Sequence, residues 1–240
     1  MMRIDVVTVF PGMFSGYVAE SMMARASQQQ VLSITLHDLR DFTDDSHRVV
    51  DDTPFGGGGG MVLKPEPIAR AVESISASRN GSNPIVCIIP TPRAPLFTQS
   101  DANELAQSGQ LIFVCGHYTG IDERVFEHLN ARRYSIGDYV LTGGELPVMV
   151  MIDAIARRLP GFLGNDESAV GDSHVRADGG LGFPQYTRPA VWRDRAVPEV
   201  LISGHHAHVS DWRAQQAREA TQRFRPDLVN DNKTAPALRT

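Results

Sequence analysis

The chain has 240 residues, 42% of them hydrophobic, with 23 Lys plus Arg against 28 Asp plus Glu and a net charge of -5. This is apolar material enough for one large domain or two modest ones, and the charge balance argues against a uniformly basic nucleic-acid binder while leaving room for a local basic patch. The longest apolar runs, such as "IVCII", are far too short to span a bilayer, and two cysteines, Cys87 and Cys115, each inside an apolar run, read as buried core thiols rather than a disulfide framework or zinc site.

Residues 3–9, "RIDVVTV", predict an opening strand, followed by the turn "FPG" rather than by the pattern of a signal peptide, so an intracellular protein is expected. Over 31–39, Leu32, Ile34 and Leu36 alternate with polar neighbours as in a half-buried strand. The runs "IVCIIP" (85–90) and "LIFVCG" (111–116) stop at Pro or Gly, as buried parallel strands do, and "RYSIG" (133–137) is a weaker fifth strand. Helical patterns lie near 66–79, 98–107 and 122–130, so the expected fold class is α/β with a mostly parallel sheet. A further helix begins at Gly144 or Glu145, tolerates Pro147 in its first turn, buries Val148, Ile152, Ile155 and Leu159, and ends at Pro160–Gly161. Residues 161–190 lose periodicity and form a long glycine-containing loop of the kind that is functional or disordered. Segments 195–203 and 205–224 predict helices, the second with Val209, Trp212, Ala220 and Phe224 on one face; the tail beyond Pro226 is polar. The expected organisation is an α/β domain over 1–160, a flexible joint over 161–190 and a small helical domain over 191–240.

Open α/β sheets bind ligands at the carboxyl ends of their strands, which singles out the loops at 90–95, 115–125 and 135–147. Neither G-x-G-x-x-G after the first strand nor G-x-x-x-x-G-K-[ST] is present. The third loop, "SIGDYVLTGGELP", holds Gly137, Gly143 and Gly144 but no lysine or arginine, and carries Asp138 and Glu145. A ligand there would meet exposed backbone N–H and C=O groups, able to read an adenine edge or a ribose; an ordinary strand-to-helix turn fits the spacing equally well. The five glycines of "DDTPFGGGGGM" (51–61) lack the lysine and helix start of a phosphate loop and read as a surface loop. "HHAH" (205–208) reads as a helix start rather than a metal site, and Arg213, Arg218, Arg223 and Arg225 read alone as a solvated face.

Taken together, "CGHYTGIDERV", "SIGDYVLTGGELPVMVMIDAIARRLPG", "DDTPFGGGGGM" and "PQYTRPAVW" resemble the motifs of the bacterial tRNA (guanine-N1)-methyltransferase family, of the SPOUT superfamily. The similarity runs from "MRIDVVTVFPGMF" to "WRAQQAREAT". It implies a domain that ends in a deep trefoil knot, which the sequence pattern itself does not predict. The resemblance also implies S-adenosylmethionine as methyl donor, bound by Ser135, Ile136, Gly137, Asp138, Tyr139, Val140, Leu141, Gly143 and Gly144, with Gly116, Tyr118 and Pro92 from the neighbouring loops. The acceptor implied is the guanine immediately 3′ of the anticodon in tRNA, with Asp172 as general base for its N1 proton and Arg157 as the cation near O6. RNA contacts fall on His47, Arg48, Arg188, Arg213 and Arg218, in a cytoplasmic homodimer whose joint reaches the partner's active site. A divalent cation such as Mg2+ is a further cofactor the family allows, with no metal ligands assigned here.

The chain departs from the family pattern at Thr119, where Glu is usual, at Gly182, where an acid is usual, and at Gln185, where His is usual; "TPRAP" also replaces a more polar turn after Pro92. Two other readings stay open on the sequence: a relative acting on another RNA base, and an RNA-binding protein without transfer activity.

Overall fold

Strand β1 (Met2–Thr8) alternates strictly, as a strand covered on both faces must: Ile4 and Val6 enter one apolar cluster and Val7 the other, all fully buried. This is a computed structural model; it describes residues 1–78, 84–164 and 171–230 and separates into two units, Met1–Gly164 and Asn165–Thr240.

In the first unit β1 is followed by two short helices, α1 (Ser15–Ala19) and α2 (Ser21–Gln28), and by β2 (Leu32–Asp38). A two-residue pair, β3 (Asp51–Asp52) and β4 (Val62–Leu63), brackets the glycine run. Then come α3 (Pro65–Ala77), β5 (Ile85–Pro90), α4 (Gln99–Leu105), β6 (Gln110–Val114), α5 (Arg124–His128), β7 (Arg132–Tyr134) and α6 (Glu145–Ala156). The five long strands form one parallel sheet in the order β2-β1-β6-β5-β7. One face is covered by α1, α2, α4 and α6 around Phe14, Leu105, Phe113 and Ile152, the other by α3 and α5 around Ile68, Ile75 and Phe126. Helix α4 starts on a capping box, Thr98 and Asp101 each accepting from the other's backbone N–H. The apolar stripe Val148, Ile152, Ile155 and Leu159 is buried, and so are both thiols; burial pushes the Cys87 thiol up to about 12 and Cys115 well above the usual range. The two helices between Pro11 and Gln28 were not expected from the sequence.

One buried group on β1 is charged. Asp5 is fully buried and accepts from Arg3 Nε at 2.8 Å, Gln110 Nε2 at 2.8 Å and the His37 ring at 2.9 Å. Burial raises its carboxyl pKa, but hydrogen bonds from His37, Arg3 and Gln110 more than offset this, and the net shift is downward. A depressed folded pKa stabilises the fold above the unfolded carboxyl value of about 3.9, and that contribution is lost as pH falls through the folded value. Asp5→Asn is therefore expected to lower stability at neutral pH by about 2 kcal/mol. In urea titrations the gap from the parent should close as the pH drops below about 4; a gap unchanged by acid would contradict this account.

The second unit carries a β-hairpin, β8 (Val191–Trp192) with β9 (Arg195–Ala196), and helices α7 (Glu199–Ile202), α8 (His206–Phe224) and α9 (Asp227–Asn230). The helix expected over 195–203 is thus shortened. Arg193 and Asp194 both adopt positive φ, 46° and 61°, which closes a tight hairpin turn, and the helix begins only after Pro198. Phe224, expected on the buried face of α8, is 63% exposed. The buried line runs instead through Ala217 and Thr221, because the Thr221 hydroxyl donates to the Ala217 carbonyl at 2.7 Å and accepts from the Leu181 N–H at 2.9 Å. Arg176 and Asp178 pair in the preceding turn, and this bond holds the Asp178 carboxyl at about 2.

Candidate active site

The loops that leave β5, β6 and β7 converge at the carboxyl edge of the sheet and enclose a cleft of about 280 Å³. Pro92 comes from the first loop, Gly116 and Tyr118 from the second, and Ser135, Ile136, Gly137, Tyr139, Val140, Leu141, Gly143 and Gly144 from the third. These are the residues singled out for a donor in the sequence, Asp138 excepted, which does not line the cleft. The third loop is tied to the first through the Ser135 N–H to Pro95 carbonyl bond and the Phe97 N–H to Ser135 carbonyl bond, both 2.8 Å.

The glycines answer to two different demands. At Gly144 the demand is closeness: its N–H donates to the Gly116 carbonyl at 2.7 Å, and a Cβ there would stand 2.8 Å from the Gly116 nitrogen and 2.9 Å from the Cys115 Cα. At Gly137 it is conformation: φ is +152°, and a Cβ would meet the Tyr139 ring at 2.3 Å. That ring is held by its hydroxyl, which donates to the Ile136 carbonyl at 3.1 Å.

Beneath the third loop lies a buried polar group that the sequence did not reveal. Glu145, the first residue of α6, is 1% exposed and accepts from the Thr8 hydroxyl at 2.7 Å. The ring of His117 stands between those of Phe10 and Tyr118, at 4.8 and 4.9 Å, with its Nδ1 buried 3.8 Å from the Glu145 carboxylate. Glu145 was noted in the sequence as an acid, but no local pattern betrays that its partner is Thr8, at the far end of β1.

Electrostatically the cleft does not suit a phosphate. Among the described residues that line it, the basic side chains are Arg93, whose Nη2 holds Glu123 at 2.7 Å, and His117. Exposed backbone and the apolar sides of Pro92, Ile136, Tyr139 and Leu141 dominate the rest, which fits an adenosine moiety with no phosphate.

The glycine run is fastened to this cleft. The Leu63 N–H donates to the Gly120 carbonyl at 3.0 Å, the Asp122 N–H to the Leu63 carbonyl at 3.1 Å and the Thr119 N–H to the Met61 carbonyl at 3.0 Å, with the Thr119 hydroxyl on the same oxygen. A Cβ at Gly60 would fall 2.5 Å from the Thr119 methyl. Thr119, one of the residues that depart from the pattern of the family the sequence resembles, thus fixes the end of the glycine loop against the cleft wall. Gly182 also has a local reason: a Cβ there would sit 2.8 Å from the Gly171 carbonyl oxygen.

The remaining predicted residues are dispersed. His47 and Arg48 are exposed before β3, Arg48 paired with Asp41. Arg157 is an exposed residue at the C-terminus of α6 in the first unit. Asp172 is half-buried in the second unit, in a turn where its carbonyl accepts from the Val175 N–H at 3.3 Å. Arg188 and Arg213 line a second cleft, within the second unit, and Arg218 is exposed on α8. Among the described residues no group of three or more His, Cys, Asp or Glu is placed to hold a metal ion, and no helix is long and apolar enough to cross a membrane.

An open parallel sheet whose last loops wrap a phosphate-averse, glycine-lined cleft is the architecture of an α/β protein built to hold a nucleoside. The chain belongs to the tRNA (guanine-1)-methyltransferase family: the family model described as "tRNA (Guanine-1)-methyltransferase TrmD" matches residues 2–231. It is 51% identical over 228 residues to a protein of Chloroflexus aggregans (strain MD-66 / DSM 9485), covering 95% of this chain and 88% of that one. Similar relatives come from Paenarthrobacter aurescens (strain TC1), 49% identical with coverages of 95% and 86%, and Geobacter sulfurreducens (strain ATCC 51573 / DSM 12127 / PCA), 51% identical with coverages of 95% and 91%. All three bear the name tRNA (guanine-N(1)-)-methyltransferase.

Proposed function

We propose that this chain is a tRNA guanine-N1 methyltransferase that modifies the guanine immediately 3′ of the anticodon. The observation that carries the reading is the cleft: backbone and apolar walls from 92, 116–118 and 135–144, with Arg93 paired to Glu123 and His117 half-buried between two aromatic rings, in a chain of this family. Bound there, S-adenosylmethionine supplies the methyl group. The close passage of Gly144 against Cys115 and Gly116 supports reading this part of the chain as the knot of the superfamily.

Neutral guanine carries a proton on N1 and is a poor nucleophile there. Asp172 would accept that proton, and Arg157, always charged, would meet the negative charge that develops on O6. The enzyme would work as a homodimer, Asp172 reaching the partner's cleft. Helix α6 supports an apolar interface: it is apolar on nearly every side, yet Leu146 and Val150 are each 52% exposed. The second unit would grip the anticodon branch. Its composition supports this, since 13 of the 23 basic residues but 18 of the 28 acids fall in residues 1–164, leaving the second unit without the first unit's acidic excess. Such an enzyme would act in the cytoplasm. A role for Mg2+ rests on the family alone, and turnover with and without EDTA would read it.

The test is transfer of label from S-adenosylmethionine to an unmodified tRNA transcript with guanine just 3′ of the anticodon, against the same transcript with adenine there. Label on the guanine transcript alone is expected. Equal labelling of both, or donor binding without any transfer, would overturn the reading.

A further inference from the structure

Among the described residues no Asp or Glu lines the donor cleft. Two acids of the third loop flank its lining. Asp138 is exposed, so water screens its charge, whereas the Glu145 side chain is 2% exposed. Glu145 lies directly behind the cleft wall: a Cβ at Gly143, a lining residue, would fall 2.3 Å from its Oε2 and 2.6 Å from His117 Nδ1. Its charge has no cationic partner among the described residues. Oε1 accepts from the Thr8 hydroxyl at 2.7 Å, and His117 Nδ1 stands 3.8 Å from Oε2, beyond hydrogen-bond distance. The acids of the second loop are neutralised, Asp122 by Arg124 and Glu123 by Arg93 and Arg133. Neighbouring groups feel the buried charge: burial pushes the Cys115 thiol up, and the Glu145 carboxylate adds to this.

We propose that Glu145 is a specificity residue of the donor site, its buried charge favouring the cationic donor over the neutral product that remains once the methyl group has gone. The inference rests on S-adenosylmethionine being the ligand of this cleft. A cation that leaves water needs compensating charge, and a carboxylate in a water-poor interior supplies it across a wall of backbone, without touching the ligand. Methyl transfer turns the sulfonium into a thioether and removes the positive charge, so the attraction retains the donor and not the product. Glu145 therefore acts on binding and exchange, through the stretch that holds Gly143 and Gly144, and not on the reacting atoms.

The test is isothermal titration of the full chain, parent and Glu145→Gln, with S-adenosylmethionine and with S-adenosylhomocysteine. The amide keeps the shape of the side chain and an oxygen to accept from Thr8. Glu145→Gln should weaken binding of S-adenosylmethionine about 5- to 20-fold and leave that of S-adenosylhomocysteine within about twofold of the parent. Equal weakening of both ligands would make Glu145 a structural residue that ties α6 to β1; this result, or no change in either affinity, would overturn the proposal and leave the donor reading standing. Circular dichroism shows whether the variant folds. If it does not, the parent decides: it should bind the sulfonium at least about fivefold more tightly than the thioether, and equal or tighter binding of the thioether would overturn the proposal. A parent that binds neither ligand would overturn the donor reading as well.

Discussion

Asp172→Ala is expected to lower kcat by about 10²- to 10⁴-fold while the dissociation constant for S-adenosylmethionine stays within about twofold of the parent. The expectation follows from the division of labour between the units. The donor cleft is built entirely from residues of the first unit, and Asp172 lies in the second. Removing its carboxylate would take away the proposed proton acceptor and leave the walls of the cleft, which hold no residue of the second unit, as they were. Isothermal titration with donor, beside single-turnover transfer to tRNA, separates the two quantities. A variant that keeps its turnover would remove Asp172 from the reaction; one that loses donor affinity in step with turnover would make it a structural residue.

Gly144→Ala acts on the cleft itself and is expected to cost about 3 kcal/mol, near the top of the range for an added methyl in a packed interior. The atoms that its Cβ would strike are backbone, the Gly116 nitrogen at 2.8 Å and the Cys115 Cα and carbonyl carbon at 2.9 and 3.2 Å. Those atoms follow directly on β6, in the centre of the sheet, and as backbone cannot swing aside. The variant should melt about 6–12 °C below the parent and bind donor at least tenfold more weakly. Gly137→Ala is a useful contrast: the atoms in the way belong to the Tyr139 ring, a side chain that can turn aside by giving up its exposed hydroxyl bond to the Ile136 carbonyl, so the cost is mainly the backbone strain of about 1–2 kcal/mol. Thermal melts of the two variants should therefore rank Gly144→Ala well below Gly137→Ala. The reverse order would mean that the passage of the third loop across the end of β6 is not as close as described.

How much of this was legible in the sequence depends on whether a feature is local. The runs at 85–90 and 111–116 announce buried parallel strands because both faces must be apolar, and β5 and β6 occupy them. The loop at 135–147 announces itself as special by its glycines and its want of lysine and arginine. Its spacing could not say whether Gly144 serves a turn or a close approach, since the atoms it approaches lie some thirty residues earlier. The hairpin at 191–196 was hidden because its turn uses Arg193 and Asp194 at positive φ in place of the usual Asn-Gly. Thr119 looked like a lost acid; its hydroxyl and methyl engage Met61 and Gly60, partners that no reading of neighbouring residues supplies. The same is true of Glu145 and Thr8, which are 137 positions apart. Asp172 and Arg157 were identified by resemblance to a family, since a lone aspartate in a turn and an arginine at a helix end carry no signal of their own.

The central claim is that the methyl group goes to N1 of one guanine, and the product nucleoside reads it most directly. A tRNA transcript incubated with the protein and donor would be digested to nucleosides and analysed by chromatography and mass spectrometry against methylguanosine standards. The account predicts 1-methylguanosine, absent when the guanine 3′ of the anticodon is replaced by adenine. A methylguanosine substituted at another atom, or 1-methylguanosine that persists after that replacement, would contradict it.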